Sequence, residues 1–298
     1  MTFTEKFIEI SKKIIFITLI LAAIVSIIQV FDMSFFNYYN REYLENLDIY
    51  TYRRGSIFSY IHISSAGYDF LPLLAITLSV LLMNKNKKFI ICFISGGIVA
   101  FLSNNRYIMI CYVFLYIMLY VYYKKNRLKY SLYVIITVLG FYYFLTNIIG
   151  YDLVEWYNER LLAEGSIQET TRYKAISNFI KFFPQHPWFG FGEQTYEIRK
   201  ASSLVGSSHI HVGYLSHLVN YGIVGCSFLY GAWFLIMRKF YKTAKETNYW
   251  GSFFAFCCLL IAFATYSNSS IFFYGFMFAF IFDKYYNDKM ISNQNIVN

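Results

Sequence analysis

"LPLLAITLSVLLMNKNKKFIICFISGGIVAFLSNNR", residues 71–106, contains two apolar runs, a lysine-rich turn between them and a polar tip at the end. Lys85, Lys87 and Lys88 cannot enter hydrocarbon, while the runs on either side hold no charge. A basic turn joining two apolar runs reads as two membrane helices linked on the cytoplasmic side. The pattern repeats outward along the chain. Apolar segments fall at 14–31, 66–83, 89–103, 107–123, 130–149, 211–237, 250–266 and 269–283. The 298 residues are 57% hydrophobic and 14% charged, against about 25% charged in soluble domains. The expected fold is therefore an all-α integral membrane protein of about eight transmembrane helices, a single polytopic domain over residues 1–298.

The net charge of +9 does not point to nucleic acid, because the basic residues punctuate the apolar blocks and form no single stripe. They act as topology signals. The stretches 84–88, 124–129 and 238–249, with the N-terminal 13 residues and the C-terminal tail, hold 16 of the 26 lysines and arginines. The intervening stretches 32–65, 104–106, 150–210 and 267–268 hold the other 10 over about twice the length. Strict alternation through eight spans puts every basic cluster on one side, the cytoplasm, together with both termini. The first apolar block follows Lys12 and Lys13, yet no small-residue cleavage site follows it, so it reads as an uncleaved first helix. The five cysteines all lie in apolar blocks and form no paired CxxC, which predicts reduced, packed thiols with neither disulfides nor a zinc site.

Two larger segments face outward in this topology. Residues 32–65 form a Tyr-rich loop. Residues 150–210 form one large external loop, within which Ile176, Phe179, Ile180 and Phe183 recur at helical spacing. They predict an amphipathic helix on the membrane or against the bundle, capped by Thr170 or Thr171 and ended by Pro184 and Pro187. Segment 89–103 would reach only ~22 Å at ~1.5 Å per residue, short of the ~30 Å hydrocarbon core. The tips "SNNR" (103–106) and "YSNSS" (266–270) are therefore expected below the outer surface, lining a cavity or packed on protein.

The chemistry-bearing residues lie on this outer side. Arg106 closes the recessed tip, and Arg172 opens the loop helix. "HPWFGFG" (186–192) brings His186, and "SSHIHVGYLSHLVNYGIVG" (207–225) brings His209, His211 and His217. Arg106 alone reads as a snorkelling interfacial residue, Arg172 as a solvated one, and His211 as a polar helix start. His209 and His211 do not share a helical face, so metal binding by this pair is not expected. His217 reads as a structural histidine, and Gly222 with Gly225 as a close helix-packing surface. Asp69, a carboxylate near the outer end of the second span, is costly there and is a further site candidate.

In this order and spacing the motifs resemble the O-antigen ligase and polymerase superfamily, which includes Wzy-type polysaccharide polymerases. Family members show a Ser-x-Ser-Arg-like tip, a loop arginine and a His-Pro-Leu-x-Gly-x-Gly turn. A histidine follows, then Asn, Ser or Gln, nine residues and Gly-x-x-Gly. The counterparts here are "SNNR", Arg172, "HPWFGFG" and "HVGYLSHLVNYGIVG", and the resemblance covers about residues 50–285. Val212 departs from the pattern, removing a hydrogen-bonding neighbour of the histidine. The span count is also lower than the family's, which implies that some N-terminal helices are absent.

The resemblance implies transfer of a glycan from undecaprenyl diphosphate to a sugar hydroxyl at the outer face of a bacterial cytoplasmic (inner) membrane. His211 would be the base, and Arg106 and Arg172 would hold the pyrophosphate; His209, His186 and Asp69 are weaker candidates. An imidazole titrates near the working pH, and arginine presents a permanently charged fork to phosphate. No cofactor and no metal are expected, in keeping with the absence of an Asp-x-Asp motif. The partners implied are the undecaprenyl-diphosphate-linked glycan, membrane lipids, a flippase and a chain-length regulator. Polymerase is the leading reading because such proteins are more often short and divergent. A ligase shares the base and the pyrophosphate site and stays open as the alternative. A transporter or flippase predicts internal repeats and charge near the bilayer midplane, and neither is found. A non-catalytic envelope scaffold is the remaining reading.

Overall fold

The computed structural model describes residues 3–32, 35, 65–103, 106–122, 132, 135–136, 139–140, 142–143, 146–147, 150, 171–192, 212–265 and 274–297. Among these residues there is no strand. The helices, in chain order, are α1 (Phe3–Phe31), α2 (Ser65–Met83), α3 (Lys88–Leu102), α4 (Arg106–Tyr122), α5 (Thr171–Phe182), α6 (Gly213–Thr247), α7 (Gly251–Thr265) and α8 (Tyr274–Val297). Each overlaps an expected apolar segment or, for α5, the expected amphipathic helix, although α1 begins well before the expected 14–31 and α8 runs well past the expected 269–283. The described residues of the 130–149 segment are also mostly helical. Among the described residues two helices are long and apolar enough to cross a membrane by length and composition, the stretch Thr4–Phe31 in α1 and α6 taken end to end.

The chain forms two compact units. The first comprises residues 1–156, 240–259 and 272–298. In it α2 and α3 pack on each other and on both α1 and α4, and α8 packs on α1 and α2. Glycines set the spacing: a Cβ on Gly96 would press on Leu74, and one on Gly97 would meet the ring of Tyr112. Small residues let apolar helices approach closely where no hydrophobic gain drives them together. The Tyr112 hydroxyl crosses the same contact and donates to the Phe93 carbonyl at 2.8 Å.

Outward-facing residues in this unit are themselves apolar. Phe7, Ile10, Ile14, Ile17, Leu21 and Ile24 form an exposed stripe along α1, and Ile110, Val113 and Ile117 form one along α4. Leu132, Ile135, Ile136 and Leu139 are exposed as well. Surface of this kind suits lipid and is unstable in water.

The basic segments meet through aromatic contacts in this same unit. Lys12 of α1 lies 5.6 Å from the ring centre of Tyr285 and 5.9 Å from that of Tyr286 in α8. Tyr286 stacks on Tyr249 at 4.2 Å, beside the α6–α7 turn. Trp250 packs on Tyr122 at the end of α4, 3.9 Å between ring centres, and on Tyr241 of α6. Lys88, at the α2–α3 turn, sits over Phe16 of α1. These contacts link the ends of five segments that carry the basic clusters, with aromatic rings among the lysines. The five cysteines are buried or half-buried.

The second unit comprises residues 157–239 and 260–271. It contains α5, most of α6 and the end of α7. It also holds the turn between α5 and α6, around which the candidate site is built.

Candidate functional site

The loop helix α5 begins at Thr171, the second of the two expected capping threonines, and ends in a 3₁₀ turn, Phe183–Gln185, with Pro184 in its first positions. Its expected apolar face divides in two. Phe179 and Phe183 stack at 4.8 Å and, with buried Phe182, pack on Val219, Val212, Leu215 and Phe191. Ile176 and Ile180 point outward. Val212, where a polar residue was expected, is thereby explained in part: its side chain belongs to an apolar cluster.

The turn 186–192 follows at once. Gly190 N donates to His186 O at 3.0 Å, closing the turn. The His186 ring is exposed and stands edge-on to Phe191 at 4.5 Å. Beyond the turn lies the largest departure from expectation. Segment 211–237 was read as one continuous span, with Gly222 and Gly225 as a packing surface. Instead α6 breaks at Gly222, whose backbone is non-helical at φ 61° and ψ −172°. That conformation is essentially restricted to glycine.

The helix folds back at this point. The Tyr230 hydroxyl lies 3.5 Å from the Tyr214 carbonyl, sixteen residues earlier, whereas an unbroken helix would separate the two residues by about 24 Å. Their rings are 5.8 Å apart. A short arm, 213–221, and a long arm, 223–247, therefore form an acute V with Gly222 at its vertex. The short arm is about 13 Å long and cannot cross a bilayer; the long arm is about 37 Å long, of which the uncharged stretch 223–237 makes up about 22 Å.

Breaking a helix orphans carbonyls on one side and N–H groups on the other, and in apolar surroundings each orphan is costly. The 186–192 turn supplies the missing partners. Ile223 N donates to Pro187 O at 2.8 Å, and Val224 N to Trp188 O at 3.0 Å. In the other direction, Phe191 N donates to Val219 O at 2.9 Å, and Gly192 N to Asn220 O at 2.8 Å. This four-bond backbone clasp demands close approach. A Cβ on Gly222 would strike the backbone of Trp188 and Gly190, and a Cβ on Gly190 would strike that of Asn220 and Gly222. Gly190 has φ 68°, so it too needs the left-handed region. Gly225 is explained differently: its Cβ would lie 2.7 Å from the Tyr221 Cβ, where the short arm ends over the long one.

Inside the V is a group that sequence reasoning treated only as structural. The Nδ1 atom of His217 faces the Tyr230 hydroxyl at 3.5 Å. Trp233 and Phe263 pack on the same imidazole at 5.8 and 5.6 Å between ring centres, and Tyr221 at 5.9 Å. Tyr214 donates its hydroxyl to Leu260 O at 2.6 Å. No periodicity could have placed Tyr230 beside His217; the fold at Gly222 does so.

The remaining candidates are located by backbone alone or not at all. Arg172 is the second residue of α5, in the second unit. Arg106 is the first residue of α4 and Asp69 lies in the first turns of α2, both in the first unit. The side chains of these three are outside the described part of the structure, as are His209 and His211 altogether. Val212, the neighbour of His211, is the last residue before the short arm. Among the described residues no group of three or more His, Cys, Asp or Glu is arranged to hold a metal ion.

The turn that closes on the vertex, the glycines at both places and the loop helix leading to them lie within one matched region. Residues 90–230 match the family described as O-Antigen ligase. Over that stretch, a little under half of the 298 residues, the chain is similar to the O-antigen ligase family. The match begins in α3, includes both arginines, His211 and the clasp, and ends in the long arm. Members of this family are membrane glycosyltransferase-like enzymes that act on lipid-linked glycans. No curated protein matches the chain.

Proposed function

We propose that the protein is a polymerase, joining undecaprenyl-diphosphate-linked repeat units into a surface polysaccharide at the outer face of the cytoplasmic membrane. The observation that supports this reading most is the clasp. The two motif stretches that the resemblance places in sequence, 186–192 and 211–225, are bonded through their backbones over described residues. A short arm whose preceding residues include His211 is thereby held against the loop helix that carries Arg172. In the reaction, His211 takes the proton of the acceptor hydroxyl. The oxygen attacks the anomeric carbon, and the bond from that carbon to the phosphate oxygen breaks. Undecaprenyl diphosphate leaves with the bonding electrons, its charge offset by Arg106 and Arg172. No metal is required in this scheme. A base of this type contributes ~10²–10⁴-fold in rate.

The topology that goes with it has eight spans within a single polytopic domain, both termini in the cytoplasm, and residues 150–210 as the external loop. A flippase and a chain-length regulator would work beside the enzyme, supplying repeat units and setting polymer length. Ligation is the second reading, favoured by the description of the matched family. The test is synthesis from purified lipid-linked repeat units with no other acceptor, using membranes matched for protein content. Wild-type protein yields a ladder of polymer if it is a polymerase and no product if it is a ligase. His211→Ala should be nearly inactive while still binding donor, and His209→Ala should retain activity. Robust synthesis by His211→Ala, or loss confined to His209→Ala, would assign the base to a different imidazole.

A further inference from the structure

The 186–192 turn carries two of the most exposed large apolar side chains of the second unit, Trp188 at 63% and Phe189 at 76%. These rings cannot relieve their exposure by rearranging the turn. The Trp188 carbonyl is bonded to Val224 N, the Gly190 amide to His186 O, and the flanking residues to the vertex. The turn is a rigid mount that holds both rings outward.

Its position indicates what covers them. Pro187 and Trp188 accept from the first two amides of the long arm, so the rings stand at the level where that arm begins. The arm's own outward-facing apolar residues start there, with Ile223 and then Phe228. The rings thus continue the exposed apolar surface of the long arm. Ile176 and Ile180 of α5, the helix leading into the turn, are also exposed. Lys181 stands beside them, 5.2 Å from the ring centre of Phe182. Tryptophan prefers the headgroup level, where its ring is in an apolar layer and its N–H stays wet. A lysine nearby can reach phosphate from the same depth.

We propose that Trp188 and Phe189 form a membrane-seated tip, inserted at the headgroup–acyl boundary of the outer leaflet, with phospholipid as the partner. This rests on reading the chain as membrane-spanning with an external loop, and the test separates the two ideas. The full chain, with its five cysteines replaced, receives a single spin-labelled cysteine at Phe189, Phe228 or Gln168. It is placed in nanodiscs of phosphatidylcholine and phosphatidylglycerol. Collision with oxygen, which enriches in lipid, is compared with collision by a water-soluble nickel chelate.

The expected oxygen-to-nickel ratio at Phe189 is severalfold above that at Gln168 and below that at Phe228. A ratio at Phe189 equal to that at Gln168, with Phe228 still lipid-accessible, overturns the tip while leaving the span intact; the rings then await some other occupant. Water access at all three sites overturns the span as well. A ratio at Phe189 matching that at Phe228 moves the rings into the hydrocarbon core and overturns their placement at the boundary. A second measurement needs no cysteine. With Trp156, Trp233 and Trp250 changed to Phe, Trp188 fluorescence should be quenched most by lipids brominated near the headgroup end of the chain. Absence of quenching at any bromine depth overturns the proposal.

Discussion

Replacing Gly222 by alanine should open the clasp, and its cost can be worked out term by term. Alanine at φ 61° and ψ −172° carries roughly 1–3 kcal/mol of backbone strain. The added Cβ also meets the backbone of Trp188 and Gly190. Those atoms are fixed by hydrogen bonds, so the collision is relieved only by separating turn from vertex. Separation gives up four backbone hydrogen bonds, at about 0.5–1.5 kcal/mol each or roughly 2–6 kcal/mol together. The smallest sum, about 3 kcal/mol, corresponds to roughly a hundredfold faster local opening at ~1.4 kcal/mol per decade. Hydrogen exchange by mass spectrometry, over peptides covering 186–192 and 219–226, reads this directly. The amides of Phe191, Gly192, Ile223 and Val224 should lose protection while α1 to α4 keep theirs. Glycan transfer should fall in parallel, because the loop helix and the short arm are no longer joined. Gly231→Ala is the control: nothing lies within 4 Å of its Cβ, so it should be neutral or stabilising by up to ~1 kcal/mol. Unchanged protection at those four amides in Gly222→Ala would refute the clasp as the element that holds the turn.

Cysteines at Tyr214 and Tyr230 should be joined by a short bis-maleimide within one chain; failure to bridge them would mean that α6 runs straight. An impermeant thiol reagent applied to intact spheroplasts should label a cysteine at Gln168 and spare one at Lys87, and the reverse pattern would invert the topology. Arg106→Lys keeps the charge but loses the bidentate fork and should lose much of the activity; wild-type polymer length in both Arg106→Ala and Arg172→Ala cells would remove the arginines from the mechanism. A chelator should leave synthesis unchanged, and inhibition reversed by Mg²⁺ or Mn²⁺ would argue for a metal-dependent step.

The helices were legible because hydrophobic blocks and basic turns are written in composition. Lys85, Lys87 and Lys88 marked the α2–α3 turn, and the contacts of Lys12, Trp250 and Tyr286 link segments that carry basic clusters. The loop helix was legible from the spacing of Phe179 and Phe183, although Ile176 and Ile180 turned out to face the other way. The fold of α6 was not legible. A 3.6-residue period continues through a reversal, because the period describes each arm and not the angle between them. Two signals were present all the same. The short arm carries Ser216, His217 and Asn220, whereas 223–237 is almost wholly apolar. Glycines also crowd both 190–192 and 222–225, as would be needed where two backbones meet. Of the candidate site, the motif order was legible and the pairing of the motifs was not, since glycines mark places of close backbone approach without naming which backbone approaches.

Pairing through the backbone has its own consequence. A joint made only of main-chain bonds demands glycine at 190 and 222 but is otherwise indifferent to the side chains it carries, so Trp188, Phe189, Tyr221 and Ile223 can drift in sequence without loosening it. What it cannot tolerate is proline. The first turn of a helix is ordinarily proline's most welcoming place, because the N–H it lacks would have no use there. At Ile223 and Val224 that amide is already committed to the turn. Among diverging copies of this gene, the vertex should be recognised by the residues that never appear after Gly222, more than by those that do.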